Sequence, residues 1–214
     1  MRYLIVCGGK IDKEFGLNEI KTDGIDAIIA ADSGMDFLYE NGVTPDIIVG
    51  DFDSATTKAL EYFERKGQTE IHRLNPIKDD TDTEYAIRLA ISEGARSIVL
   101  LGATGSRIDH VLGNISLLGI GLESGTDISI IDTNNRIRMS DKPVTIEKSA
   151  QYGRFVSLIA VTDDNEVSLK GFKYPVTDYS FDRFTSLGIS NEIVDDHALI
   201  DIHRGKFIII ESKD

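Results

Sequence analysis

A short apolar run leads into two aspartates in the segment Ile47-Ile48-Val49-Gly50-Asp51-Phe52-Asp53-Ser54. The apolar, β-branched residues predict a buried strand, and the glycine allows the backbone to turn sharply where that strand ends. Side chains two residues apart on an extended segment point the same way. We therefore expect the carboxylates of Asp51 and Asp53 to lie close together.

Two neighbouring carboxylates repel each other unless a cation or a proton lies between them. Magnesium is the natural cation, because it takes oxygen ligands and often shares them with substrate phosphates. A plain surface turn is the alternative, since Asp, Gly and Ser are common in turns. The segment alone leaves both interpretations open.

Predicted strands and helices alternate along the first half of the chain. Apolar runs predict strands at residues 3–7, 27–30, 47–49, 71–74 and 97–101, and helices are expected at 34–40, 56–66, 82–93 and 108–118. Such alternation is typical of a parallel sheet with helices on both faces. In these sheets, ligands bind beyond the carboxyl ends of the strands.

Charged side chains follow several of these predicted strands. Asp32 comes directly after a strand, although it could simply cap the helix that follows. Thr81 and Glu84 form a capping box that starts a helix at Asp82, where the helix dipole keeps the carboxylate ionised. Arg107 follows a glycine-bearing turn of the kind that binds anions. Together with Asp51 and Asp53, these residues predict an acidic, metal-bearing phosphate site at one edge of the sheet.

The pattern changes beyond about residue 125. Short β-branched or alternating runs, separated by turns, occur at residues 128–131, 137–139, 155–160, 166–169 and 206–210. Such spacing is typical of an all-β sandwich. We therefore predict an α/β fold class, with a Rossmann-like parallel-sheet domain over residues 1–125 followed by an all-β sandwich domain over residues 126–214.

Composition excludes some classes of function. The chain has 23 Lys and Arg against 36 Asp and Glu, a formal charge of −13, which disfavours binding to a nucleic-acid backbone. No apolar run approaches the length that spans a bilayer, and the N-terminus lacks a signal-peptide pattern. Cys7 is the single cysteine, so an intrachain disulfide is impossible. We expect a cytoplasmic protein with no membrane partner.

Five motifs, taken together and in this order, resemble the bacterial thiamine pyrophosphokinases. They are Ala31-Asp32-Ser33-Gly34, Pro45-Asp46 leading into Gly50-Asp51-Phe52-Asp53-Ser54, Asp80-Thr81-Asp82, Gly102-Ala103-Thr104-Gly105-Ser106-Arg107-Ile108-Asp109-His110, and Gly188-Ile189-Ser190-Asn191-Glu192. The resemblance implies Mg²⁺-dependent transfer of a pyrophosphoryl group from ATP to thiamine, giving thiamine pyrophosphate and AMP. It also implies a homodimer with active sites at its interface.

The resemblance assigns roles to residues by their positions in these motifs. It implies that Asp51, Asp53 and Asp82 bind magnesium and form the catalytic group with Arg107. Nucleotide contacts are expected from Asp32, Lys78, Asp80, Thr81, Thr104, Arg107, Asp109 and His110. Ser190 and Asn191 would hold the thiamine pyrimidine, and the second domain would contribute to thiamine binding and to dimerisation.

Two features bear on how the pockets are shaped. The chain departs from the family pattern at Met35-Asp36, where Ala-Asn is expected, and at Ser106, where a second glycine is usual.

Thiamine carries a fixed cation that suits an aromatic face. Tyr174, Tyr179 and Phe181 are candidates for that face, and core packing in the sandwich is the alternative for each.

Two other classes of function fit part of the sequence. A metal-dependent nucleotide hydrolase would use the same acidic loops but would not need Ser190 and Asn191. A binding module that senses nucleotide or thiamine would function without Asp51, Asp53 and Asp82. The crowding of carboxylates favours catalysis over mere binding.

Overall fold

The computed structural model of the chain describes residues 1–52, 57–75 and 80–214. The chain divides into two compact units, Met1–Thr133 and Asn134–Asp214. The sequence pattern placed the division after residue 125, because the β-branched run at 128–131 reads like the strands that follow it. In the structure that run pairs in parallel with residues 98–101 and belongs to the first unit.

The first unit is built on a parallel sheet, as the alternating pattern predicted. Its strands lie in the order β6-β5-β1-β2-β3-β4. In chain order the elements are β1 (Arg2–Val6), α1 (Lys13–Ile20), β2 (Ala27–Ala31), α2 (Gly34–Glu40), β3 (Ile47–Gly50), α3 (Thr57–Lys66), β4 (Glu70–Arg73), α4 (Asp82–Ser92), β5 (Ser97–Leu101), α5 (Ile108–Ser124) and β6 (Asp127–Ile131).

The register of the central strands brings their carboxyl ends to the same level. Val6 of β1 is opposite both Ala30 of β2 and Leu101 of β5. Ala31 is in turn opposite Val49 of β3. The loops that follow these four strands therefore start side by side at one edge of the sheet.

Apolar side chains fill the core of the first unit. Leu4, Val6 and Ile48 from the strands pack in one cluster with Met35 of α2 and Phe63 of α3. Each of these side chains is almost completely buried, and burying one such side chain stabilises the fold by about 1.5–3 kcal/mol. The strands β1, β2, β3 and β5 are near-continuous apolar runs, because both faces of a parallel sheet are covered and shielded from water.

The second unit is antiparallel, which confirms the predicted all-β region. Its strands are β7 (Asn135–Ser140), β8 (Val144–Glu147), β9 (Phe155–Ala160), β10 (Glu166–Lys170), β11 (Val176–Ser180), β12 (Asn191–Glu192), β13 (His197–Arg204) and β14 (Phe207–Ser212), with a 3₁₀ turn at Lys148–Ala150. One sheet has the order β12-β9-β14-β7 and the other has the order β11-β10-β13-β8.

Side chains from both sheets of the second unit share one core. Val156 and Leu158 of β9 and Phe207 of β14 pack with Val167 of β10 and Ile200 of β13. The unit is therefore a β-sandwich with an apolar cluster between its two sheets. Among the described helices of the chain, none is long and apolar enough to cross a bilayer.

Candidate active site

A cavity of about 840 Å³ opens beside the carboxyl ends of β1, β2 and β5 in the first unit. Its wall is formed by the loops after these strands and by the starts of α4 and α5. The lining includes Gly8, Gly9, Lys10, Asp32, Ser33, Thr81, Asp82, Thr83, Glu84, Gly102, Ala103, Thr104, Gly105, Ser106, Arg107, Asp109, His110, Gly113 and Asn114. This is the edge at which an open parallel sheet binds its ligands.

Glycines let the loops around the cavity approach one another closely. A Cβ atom at Gly8 would overlap the hydroxyl of Ser33, and one at Gly9 would lie 2.7 Å from the carbonyl oxygen of Thr104. Gly102 has a φ of +66°, and a Cβ there would lie 2.5 Å from the carbonyl oxygen of Cys7. Side chains at these positions would push the loops apart and reshape the cavity.

Three carboxylates from separate elements meet at this edge of the sheet. Asp32 follows β2, Asp51 follows β3 and Asp82 begins α4, and each offers an oxygen within 4.8 Å of those of the other two. All three side chains are partly buried. Of the predicted magnesium ligands, Asp51 and Asp82 are thus brought together, while Asp53 lies outside the described residues. Asp32, predicted as a nucleotide contact, lies in the same group.

The backbone turns sharply next to two of these carboxylates. Asp32 has a φ of +48° and donates its backbone N–H to the carbonyl of Val49 at 2.8 Å. Phe52, directly after Asp51, has a φ of +64°. A positive φ is tolerated by aspartate but is strained for a bulky residue such as phenylalanine. Strain of this kind is typical of loops that hold functional groups.

The start of α4 has the capped geometry that the sequence predicted. The side chain of Thr81 accepts a hydrogen bond from the backbone N–H of Glu84 at 3.2 Å. Asp80 is exposed just before this cap, and Lys78 lies outside the described residues. Asp82 is therefore in the first helical turn, where unpaired N–H groups favour a negative charge.

Cys7 belongs to the lining of the cavity and carries a buried thiol. Thr83 donates its hydroxyl hydrogen to the Cys7 sulfur at 3.7 Å. Burial raises the pKa of the Cys7 thiol to about 11, because the thiolate would be poorly solvated there. The thiol is therefore protonated at neutral pH and is a packing group rather than a nucleophile.

At the start of α5, Arg107 and Asp109 form an exposed ion pair. Arg107 donates to Asp109 through Nη2 at 2.7 Å and through Nε at 3.3 Å. This hydrogen bonding lowers the pKa of the Asp109 carboxyl to about 2. His110 follows them in the cavity wall. The predicted nucleotide contacts Thr104, Arg107, Asp109 and His110 thus share one side of the cavity.

Two residues that the sequence did not single out hold the loop between β5 and α5. Asn114 of α5 donates its side-chain amide to the carbonyl of Ala103 at 2.7 Å. Asp132, directly after β6, accepts a hydrogen bond from the hydroxyl of Thr104 at 2.8 Å. Asp132 could have been found by its position after a strand, but that strand had been assigned to the second domain.

Ser190 and Asn191, the predicted thiamine contacts, belong to the second unit. Ser190 has a φ of +61° and donates its backbone N–H to the hydroxyl of Ser157 at 3.0 Å. Asn191 is buried, and its amide pairs with the backbone of Tyr174 through an accepted bond of 3.1 Å and a donated bond of 2.9 Å. The Asn191 side chain thus fixes the backbone that carries Tyr174.

The three aromatic candidates for a cation-binding face differ in exposure. Tyr174 is 62% exposed and Tyr179 is 38% exposed, whereas Phe181 is 3% exposed. The Phe181 ring packs edge-on against Phe207 with centroids 5.6 Å apart. Phe181 is therefore part of the sandwich core. Tyr174 is the most exposed of the three, and the Lys173 ammonium lies 5.6 Å from its ring centroid.

Carboxylates and a glycine-bearing loop, gathered beyond the carboxyl ends of parallel strands, define a class of α/β enzymes that act on phosphate-bearing substrates. Here that unit is followed by a β-sandwich. The family model of the thiamin pyrophosphokinase catalytic domain matches residues 21–130, and the model of the thiamin pyrophosphokinase vitamin B1 binding domain matches residues 143–207.

Individual relatives agree with the family models. The thiamine pyrophosphokinase of Bacillus subtilis is 35% identical over 188 residues, which are 87% of each chain. A crystal structure of thiamine pyrophosphokinase from Bacillus subtilis aligns over 100% of both chains with a TM-score of 0.89 and 32% identity. That of thiamin pyrophosphokinase from Geobacillus thermodenitrificans covers 100% of this chain and 98% of its own, with a TM-score of 0.87 and 30% identity.

The chain therefore belongs to the thiamin pyrophosphokinase family. Family membership confirms the predicted family, fold class and enzyme class: the chain is a transferase that moves a pyrophosphoryl group from ATP to thiamine.

Proposed function

We propose that pyrophosphoryl transfer takes place at the cavity of the first unit, with magnesium bound by the acidic group of Asp32, Asp51 and Asp82. The observation that supports this is the approach of three carboxylate oxygens to within 4.8 Å of one another beside a glycine-lined cavity. Asp53, two residues after Asp51, remains part of the proposed ligand set.

The donor set fits magnesium. The three described groups offer only carboxylate oxygens, the hard ligands that Mg²⁺ prefers. A bound Mg²⁺ neutralises charge on ATP oxygens and makes the phosphorus a better electrophile. The residues themselves supply a fixed, partly buried frame, because they are anchored at β2, β3 and α4 rather than on one mobile loop.

The lining of the same cavity would contact the nucleotide. Arg107, His110 and Lys10 bring basic groups to this lining, and phosphates favour such donors. We include the predicted contacts Asp80, Thr81, Thr104 and Asp109 in this proposal, together with Lys78, which is not described. Lys10 is an addition from the structure.

The reaction exchanges one phosphorus–oxygen bond for another. The thiamine hydroxyl oxygen bonds to the β-phosphorus of ATP, the bond from that phosphorus to the bridging α–β oxygen breaks, and AMP leaves with the bond's electrons. The hydroxyl proton must pass to a base, and the carboxylates of the cavity are the groups suited to accept it. Positioning and charge neutralisation, rather than covalent catalysis, supply most of the acceleration.

Thiamine would be held by the second domain. We propose that Ser190 and Asn191 position its pyrimidine and that the exposed ring of Tyr174 faces the thiazolium cation, since aromatic faces attract cations. The two hydrogen bonds between the Asn191 side chain and the Tyr174 backbone, one accepted and one donated by Asn191, support this arrangement because they fix the segment that carries the ring.

We further propose a homodimer that functions in the cytoplasm, where its substrate ATP is made. Ile108 and Leu112 lie one turn apart on α5 and are 67% and 60% exposed. Neighbouring exposed apolar side chains favour association, and a second copy of the chain is the proposed partner. Light scattering tests this: Leu112→Lys should convert a dimer into a monomer, and a monomeric parent protein would refute the proposal.

The experiment that tests the proposed function measures AMP release from ATP and Mg²⁺, with and without thiamine. We expect AMP only when thiamine is present. Phosphate release without thiamine would indicate a nucleotide hydrolase, and ligand binding without any turnover would indicate a sensing module. Unchanged AMP release in Asp51→Asn would refute the assignment of the acidic group.

A further inference from the structure

Three successive residues of the loop between β5 and α5 are tied to three different parts of the first unit. The carbonyl of Gly102 accepts the backbone N–H of Gly9 at 2.9 Å. The carbonyl of Ala103 accepts the Asn114 amide at 2.7 Å, and the Thr104 hydroxyl donates to Asp132 at 2.8 Å. The loop is therefore held from the loop after β1, from α5 and from the end of β6.

These bonds set the direction of the loop's amide groups. In a trans peptide the carbonyl and the following N–H point in opposite directions. Because the carbonyls of Gly102 and Ala103 are held by Gly9 and Asn114, the N–H groups of Ala103 and Thr104 are directed away from those partners. Directed backbone N–H groups before a helix are what a phosphate group binds.

We propose that Asn114 and Asp132 are positioning residues for the nucleotide. They keep the loop in the shape in which its backbone lines the cavity, without contacting the reacting atoms themselves. This inference rests on the proposed function, since it takes the cavity to be the ATP site. In this arrangement the Thr104 hydroxyl helps to hold the loop through its hydrogen bond to Asp132.

The test is Asn114→Ala, with binding measured by calorimetry using an ATP analogue that has a methylene group between the α- and β-phosphates. The matched control is Asn41→Ala, because the Asn41 amide also donates to a backbone carbonyl, that of Phe37 at 2.8 Å, but lies outside the cavity lining. Both variants lose one comparable hydrogen bond. We expect only Asn114→Ala to weaken analogue binding, by about 5- to 10-fold.

Steady-state kinetics give a second readout. In Asn114→Ala the KM for ATP should rise while the KM for thiamine stays at the parent value. Equal losses of analogue affinity in Asn114→Ala and Asn41→Ala would indicate general destabilisation and would overturn the inference. Unchanged affinity in Asn114→Ala would overturn it as well.

The Thr104–Asp132 bond provides an independent test if Asn114→Ala does not fold. Asp132→Asn keeps an oxygen that can accept the Thr104 hydroxyl and should bind the analogue like the parent, whereas Asp132→Leu keeps a similar shape, loses the acceptor and should bind more weakly. Equal affinity of these two variants would refute the role of Asp132. Failure of the parent protein itself to bind the analogue would instead refute the proposed ATP site, so the two failures are distinguishable.

Discussion

A carboxylate oxygen of Asp32 lies within 4.8 Å of one from Asp82, although Asp32 follows a strand and Asp82 begins a helix. Like charges at this distance repel, so the proposed magnesium ion would stabilise the pair when bound. The first prediction follows from this relationship.

Asp82→Asn should lower the rate of AMP formation by about 100-fold or more. Removing a direct metal ligand should reduce activity at least as much as removing the groups that orient such ligands, which costs up to about 100-fold. The substitution preserves the shape of the side chain and removes its charge. Rates measured across a series of Mg²⁺ concentrations should show weakened activation, and calorimetry with Mg²⁺ alone should show weaker binding. Asp23→Asn, in an exposed turn, is the control. Parent-like Mg²⁺ affinity in Asp82→Asn would exclude Asp82 as a ligand.

Asp109 should stay ionised until the pH falls to about 2, because Arg107 hydrogen-bonds its carboxylate. The folded-state pKa lies below the ordinary value of 3.8, so the ion pair's contribution is fully present above pH 3.8 and is lost as the pH falls toward 2. Carboxyl-carbon NMR titration measures this directly. In Arg107→Gln the pKa of Asp109 should return toward 3.8, and an unchanged titration there would show that another group lowers it.

Cys7 should resist thiol reagents in the folded protein. Burial raises its pKa from 9.0 to about 11, so the folded state holds about 100-fold less thiolate at pH 8 than an unfolded chain does. The same shift lowers stability as the pH rises from 9 toward 11, because only the unfolded chain then ionises its thiol. Labelling rates with and without urea provide the measurement, and equal rates would contradict a buried thiol.

Glu211→Gln should destabilise the second unit by about 3–5 kcal/mol, the usual effect of breaking a buried ion pair. Glu211 is fully buried and accepts hydrogen bonds from Arg136 at 2.7 and 2.9 Å and from Arg138 at 3.0 Å. Urea unfolding measures the loss. The exposed Glu147 on β8 is the control, where Glu147→Gln should change stability by less than about 0.5 kcal/mol. If Glu211→Gln also changed the free energy of unfolding by less than about 0.5 kcal/mol, the ion pairs of Glu211 with the two arginines would not stabilise the second unit, and the prediction would be wrong.

Local signals in the sequence predicted most of the first unit. The bounds of β5, Ser97–Leu101, and the cap of α4 at Thr81 agree with the structure, because apolar runs and capping side chains act within a few residues. Helix α1 was not predicted, since its eight residues show only weak contrast between apolar and polar faces. Helix α5 extends to Ser124, past the expected end near residue 118, up to the left-handed Gly125.

Parts of the site depend on contacts between distant segments, and these could not be read from the sequence. The sequence predicted that Asp32, Asp51 and Asp82 lie at one edge of the sheet, but the distances among their oxygens follow from the register of β2 with β3 and from where α4 begins. The position of Asp132 beside Thr104 follows from the pairing of β6 with β5. The pairing of the Asn191 amide with the Tyr174 backbone likewise joins residues that are far apart in the chain.

The carboxylates of Asp32, Asp51 and Asp82 are neighbours only while the sheet is intact. An unfolded chain has no equivalent of this arrangement, so a divalent ion held there would bind the native state selectively. Folding and ion binding are then thermodynamically linked, and each tenfold rise in free ion above its dissociation constant would add about 1.4 kcal/mol to the free energy of unfolding. The ion concentration would then regulate both how fast the enzyme works and how much of it stays folded.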